Sequence, residues 1–339
     1  MDLDAIAEWS RYVVGAALFV YLGAWLGFSS EMGLRTRLRT EAANVGGVRS
    51  GELAAVSAET SVTARTAQEA GDDARPREEG GTAQVRQLAE QADSRGRAGR
   101  ACLVVATVVL AVGVVMRGVG TGRFPWGNMH EFSITAGLVA SIAFIYLGRT
   151  AAGRIVTAWG SLIVFITLGL AVTLLYVPPG PLVPALQSYW LIVHVGCAVV
   201  AFGLFTVAAV VQAMQIIAER AGRRGQVTGF AASLPASSTL DRLGYRLTAI
   251  GFPIWTVGPL ILGAIWAEVS WGRYWDWDPK EVWALITWLV YAAYLHARAT
   301  AGWKGSKASV VGLIGFATAL FSYFGVNIFF GGMHVYGGL

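Results

Sequence analysis

The chain has 339 residues, of which 55% are hydrophobic and 14% charged, with a formal net charge of +5 and a mean hydropathy of +0.54. Soluble domains carry about 25% charged residues, so this composition excludes an ordinary soluble enzyme. It describes an integral membrane protein.

Crossing a hydrocarbon layer about 30 Å thick takes roughly 20 helical residues. Eight apolar stretches are long enough, giving an all-α membrane protein with spans predicted at 9–28, 100–117, 131–148, 156–176, 189–217, 244–268, 282–301 and 309–330. The opening "MDLDAIAEWSRYVVG" is acidic where a signal peptide would be basic, so residues 1–29 are expected to remain as the first transmembrane helix. Residues 30–99 are rich in Ala, Gly, Ser, Thr, Arg and Glu and almost free of aromatics, which predicts a solvated, disordered cytoplasmic loop. Eleven arginines in 30–100 are matched by eleven acids, so this is no basic tail for nucleic acid. Seven further spans are expected in 100–339, and no internal repeat is evident.

Basic residues beside spans are retained on the cytoplasmic side. With the N-terminus outside, 21 of the 26 basic residues fall inside; the five outside are Arg11, Arg117, Arg123, Arg273 and Lys280. Long loops are poor witnesses to this rule, yet without the first loop the count is still ten inside against five outside. Both termini and the segment around Trp271–Trp288 are therefore expected on the extracytoplasmic side of the plasma membrane. Cys102 and Cys197 lie in predicted spans without C-x-x-C or zinc spacing, which reads as small apolar packing.

The four histidines are His130, His194, His296 and His334. On this orientation three gather at the outer face, with His194 and His334 bracketing the Trp-rich segment in chain order. His296 lies fourteen residues beyond Val282, about 21 Å along a helix, in the cytoplasmic half. An ionisable residue inside a membrane is a functional candidate, and neutral imidazole is a good iron ligand. A single membrane histidine can also do no more than hydrogen-bond a neighbouring helix.

The stretch "WGRYWDWDPKEVWALITW" packs five of the thirteen tryptophans into eighteen residues. Asp278, Pro279 and Glu281 have the order of an N-cap, a first-turn proline and a capping box, and can serve only to start the seventh span. Tryptophans also form interfacial belts, although a belt spreads over many helix ends. Trp271, Tyr274, Trp275, Trp277 and Trp283 concentrated in one segment suit a large planar ligand. Arg273 and Lys280 suit carboxylates on that ligand as well as they suit water. A planar ring with two carboxylates and an iron that takes two imidazoles is haem.

"WGRYWDWDPKEVWALITWLVYAAYLHAR" resembles the WWD signature of haem-handling proteins, specifically the CcsA (ResC) subunit family of the system II cytochrome c synthase. "LQSYWLIVHVGCAVVAFG" and "FGVNIFFGGMHVYGG" resemble that family's two external-histidine segments, and the likeness covers residues 117–339. The resemblance implies a haem-handling core at 100–339 with its WWD loop at 271–283, and one half of a two-subunit haem-lyase-type synthase. It implies transport of haem b across the membrane and its presentation for thioether attachment to the C-x-x-C-H of apocytochrome c. His194 and His334 would be the outer iron ligands and the catalytic pair, and His296 the transmembrane ligand. Trp271, Arg273, Tyr274, Trp275, Trp277, Asp278, Lys280 and Trp283 would form the haem-binding loop. Implied partners are a CcsB (ResB)-like membrane subunit, apocytochrome c and a thiol-reducing thioredoxin-like protein. The sequence departs from the family where "GNMHEFS" replaces Asn-Leu-Tyr-Glu-Ser, which leaves His130 without a role, and where the ending reads His334-Val335-Tyr336 rather than His-Ser-Tyr. The competing readings are a system I CcmC- or CcmF-like haem handler, an ion- or quinone-coupled redox subunit, and a scaffold. A redox subunit should show acids deep in the spans, and only Glu268 comes near; a scaffold would purify without haem.

Overall fold

The structure, a computed structural model, describes residues 2–58, 66–181, 184–225, 227–300 and 302–334. Among them there is no strand. Eleven α-helices run in chain order: α1 Leu3–Ala58, α2 Thr66–Thr121, α3 Met129–Leu147, α4 Ala151–Thr173, α5 Tyr189–Arg223, α6 Gly229–Ser233, α7 Ser237–Trp255, α8 Gly263–Trp271, α9 Pro279–Thr300, α10 Ser306–Leu320 and α11 Val326–Phe329. Two π-helical segments interrupt this pattern, Thr256–Leu262 between α7 and α8 and Phe321–Gly325 between α10 and α11.

Seven helical stretches among the described residues are long and apolar enough to cross a membrane, and they cover seven of the eight predicted spans. The eighth, α9, has 22 residues and so the length to cross, but it carries Lys280, Glu281, His296 and Arg298 and is less apolar. The surface is that of a multi-pass membrane protein. Phe19, Tyr12 and Val115 are 78%, 65% and 61% exposed, a display that water would penalise and lipid does not.

The expected loop at 30–99 is corrected: α1 continues to Ala58 and α2 begins at Thr66, so the first two spans extend into a long antiparallel helical pair. Residues 59–65 of that prediction lie outside the described part. The composition misled because Ala, Arg and Glu, taken there as signs of disorder, are also strong helix formers. Close approach holds the pair, since a Cβ on Gly27 would lie 2.7 Å from the Gly99 Cα. Buried Glu31 adds ion pairs to Arg35 at 2.8 Å and to Arg154 of α4 at 3.2 Å.

Helix starts follow from their capping residues. The side chains of Asn128, Thr150 and Ser188 accept from the backbone N–H groups of Glu131, Gly153 and Trp190 at 2.9, 3.0 and 3.2 Å. One buried apolar cluster runs from α1–α4 into α5 and α7, and within it the buried Tyr21 hydroxyl meets Ser141 Oγ at 2.6 Å. Long α5 packs against α3, α7, α8 and α10 and joins α1–α4 to the half that carries the cleft. Pro253 and Pro259 lie within α7 and its π-helical continuation, where each removes an N–H from the helical ladder.

Candidate functional site

At the end of the bundle where α9 begins, an apolar cleft of about 220 Å³ opens between α3, α5, α8, α9 and the segment after α11. That is below the roughly 300–1,000 Å³ of enclosed ligand pockets, and the cleft gapes at its mouth, so a large ligand would sit partly in the opening. Its wall contains His194, Trp266, Tyr274, Trp275, Lys280 and His334.

The loop from α8 to α9 is built by two residues with positive φ. Gly272 at 74° ends α8, its N–H donating to Glu268 O at 2.8 Å. Trp277 at 58° is the one non-glycine residue with positive φ among those described, a conformation that costs a bulky side chain energy and marks a held geometry. The turn delivers Asp278 to the start of α9. There Glu281 Oε2 accepts from Asp278 N at 3.1 Å and Asp278 Oδ1 accepts from Lys280 N at 2.9 Å, so the expected capping box forms.

Asp278 does more than cap. Its carboxylate also accepts from His334 Nδ1 and from Met333 N, each at 2.7 Å, and so ties the segment after α11 to the head of α9. Burial pushes the Asp278 carboxyl up, but the hydrogen bonds from His334, Lys280 N and Met333 N outweigh it and hold the group below its ordinary value. A carboxylate on Nδ1 fixes the tautomer that leaves the Nε2 lone pair free, the arrangement behind many metal-ligating histidines.

His194, from the first turns of α5, has the same polarity by another route: its Nδ1 lies 3.0 Å from the Gly258 carbonyl, so Nε2 is again the free nitrogen. One indole touches both imidazoles. Trp266 stacks on His194 with centroids 5.8 Å apart and planes 4° from parallel, and lies 5.5 Å from His334. Trp271 completes the group, 4.6 Å from Trp266 and 4.9 Å from His334.

The remaining sequence-predicted residues divide. Tyr274, Trp275 and Lys280 line the cleft, but the Lys280 ammonium already donates to Ser322 O at 2.9 Å on the second π-helical segment. Arg273 turns away to Asp276 at 2.8 Å and the Met333 sulfur at 2.9 Å. Trp277 is 71% exposed, and Trp283 packs on Phe321 at 4.1 Å, outside the cleft wall. His296 is exposed on α9, sixteen residues or about 24 Å along the helix from Lys280, and is not brought to the other two. His130 is buried and structural, its Nδ1 2.8 Å from Ala171 O and its ring edge-on to Tyr176 at 5.2 Å. Val335 and Tyr336 lie outside the described residues.

Sequence reasoning missed Trp126, Trp255, Trp266 and Tyr323, all on the cleft wall. A signal existed for Trp266, which lies in an apolar span only five residues before the Trp-rich stretch. Trp126 is set by a buried ion cluster. Glu131, fully inaccessible, accepts from Arg117 Nε at 2.9 Å, Arg123 Nη1 at 2.6 Å and Gly127 N at 2.8 Å, and so fixes the turn that places the indole.

The Cytochrome C assembly protein family profile matches residues 126–334, a stretch that begins and ends on cleft residues. The Chlamydomonas reinhardtii cytochrome c biogenesis protein CcsA is 33% identical over 246 residues, 70% of this chain and 68% of that protein. CcsA of Guillardia theta is 35% identical over 256 residues, 70% of this chain and 84% of its own length. Among solved structures, the cytochrome c haem lyase CcmF superposes with a TM-score of 0.56 at 18% identity over 96% of this chain. That likeness is one of fold, and this chain spans about half of CcmF, 47% of its length.

Proposed function

The chain belongs to the cytochrome c assembly protein family, alongside CcsA, and from that premise we propose that it presents haem b, its substrate, for covalent attachment to the C-x-x-C-H motif of apocytochrome c. The observation that carries this is the pair His194 and His334. Both rest against Trp266 at one cleft, and each has Nδ1 engaged and Nε2 left over. Two neutral imidazoles beside an indole-lined apolar space fit an iron porphyrin better than they fit a hydrolytic metal, for which a cluster of three or more His, Cys, Asp or Glu is wanted; none occurs among the described residues.

The chemistry of attachment belongs to the substrates. Each cysteine thiol adds across a vinyl group, forming one C–S and one C–H bond with no leaving group and no net redox change. The protein's share is position: His194 and His334 hold iron, Trp266 and Trp271 cover the macrocycle and exclude water, and the open mouth admits the peptide. Among haem handlers the sequence relatives favour a CcsA-type subunit over CcmC or CcmF. His296, exposed on α9, is assigned to a second haem site completed by a CcsB (ResB)-like membrane subunit, with transfer from the cytoplasmic side to the cleft. The domain plan of a haem-handling core at 100–339, extracytoplasmic termini, a plasma-membrane location and a thioredoxin-like thiol reductant belong to the same proposal.

The test is an absorption spectrum with a pyridine haemochrome assay on the purified chain, beside His194→Gly and His334→Gly. Low-spin bis-imidazole haem in the wild type, lost in both variants and partly restored by added imidazole, is expected. An unchanged spectrum in the double variant would refute the assignment.

A further inference from the structure

The His194 imidazole is positioned by a short piece of unusual helix opposite it. In the π-helical segment Thr256–Leu262 the Gly263 N–H donates to the Gly258 carbonyl five residues back, and the other lone pair of that carbonyl receives His194 Nδ1 at 3.0 Å. Pro259, without an N–H, cannot make the ordinary four-residue bond to the Trp255 carbonyl, so the ladder is already interrupted within this segment. Two glycines make the approach possible. A Cβ on Gly263 would stand 2.9 Å from His194 Cε1 and 3.1 Å from Nδ1, in the space the ring occupies. A Cβ on Gly258 would overlap the Cβ of Cys197, one turn along α5 from His194. Both Pro259 and Gly263 also line the cleft, so the segment faces the ligand space directly.

We propose that Gly258 and Gly263 are positioning residues for iron ligation: the Gly258 carbonyl sets the His194 tautomer, and the missing side chain at Gly263 lets the ring lie flat on Trp266 with Nε2 toward the cleft. π-Helical insertions recur at functional sites, and here the insertion has a specific task. It supplies a carbonyl to a ligand histidine as Asp278 supplies a carboxylate to the other. The two ligands are thereby unequal. His334 is backed by an anion, which makes its imidazole the stronger donor, while His194 is backed by a neutral amide.

This inference rests on reading His194 as a haem ligand, and the experiment separates the two. Haem is titrated into the purified chain, and the spin state and affinity are read from the absorption spectrum, with and without added imidazole. Gly263→Ala should bind haem about 10- to 100-fold more weakly, the range for loss of outer-shell support, with a high-spin spectrum that imidazole converts to low-spin. Gly258→Ala should behave likewise, and adding Cys197→Gly, which removes the overlapping Cβ while keeping the carbonyl, should return the low-spin spectrum. The melting temperature of each variant in detergent, read beside the spectra, separates a folding defect, which lowers it, from lost positioning, which leaves it near that of the wild type. Wild-type affinity and spin state in Gly263→Ala, or failure of Cys197→Gly to repair Gly258→Ala, would overturn the positioning role. Retention of bis-imidazole haem by His194→Gly would instead overturn the ligand assignment itself.

Discussion

At the residue scale the site turns on Asp278, which performs two tasks that substitution can divide. Asp278→Ala removes both the α9 cap and the His334 anchor. Loss of the cap costs about 1 kcal/mol and loss of the anchor about 10- to 100-fold in haem affinity. Asp278→Asn should keep most of the cap, since Asn is as good an N-cap as Asp, yet still weaken haem binding because an amide does not hold the imidazole as an anion does. Thermal unfolding beside haem titration reads the two effects apart. The same carboxyl predicts a pH response. It titrates in the folded protein below its value in an unfolded chain, so its stabilisation is complete above the ordinary Asp value of roughly 3.9 and fades as pH falls through the lower folded value. Exchange of the Met333 amide, corrected for intrinsic rate, should stay protected at neutral pH and open only in strong acid.

At the scale of elements, the turn between α2 and α3 is held by a carboxylate out of reach of water. Glu131→Gln would leave Arg117, equally inaccessible, without its counter-charge; breaking such a pair costs about 3–5 kcal/mol. A large fall in melting temperature in detergent is expected, together with weaker haem binding through displaced Trp126, whereas Arg86→Ala, in an exposed pair with Glu90, should change neither. The elements themselves were largely legible because span length, capping residues and the proline–glycine punctuation act locally. The α9 start could be read from Asp278, Pro279 and Glu281 alone. What was not legible was convergence. Five aromatics close in sequence suggested one surface, but Trp277 of the loop faces outward and Trp283, already within α9, joins Phe321. Trp266 and Trp126, distant in the chain, reach the cleft through packing that no local pattern encodes. The pairing of His194 with His334 was visible only as two histidines bracketing a Trp-rich segment.

At the scale of the whole molecule, His296 and the cleft occupy opposite ends of α9, so one chain offers a two-imidazole site at one end and a single exposed imidazole at the other. The chain purified alone should therefore carry bis-imidazole haem that His296→Gly leaves unchanged. In complex with a CcsB-like subunit a second haem signal should appear, and His296→Gly should remove it; difference spectra of the two preparations decide. The two imidazoles of the cleft also differ in how they are mounted. His194 is embedded in a 35-residue helix at the centre of the bundle, while His334 hangs beyond the last helix, moored through Asp278. If this pair holds haem as proposed, loosening the Asp278 contacts of His334 would release one side of the site while α5 kept His194 in place.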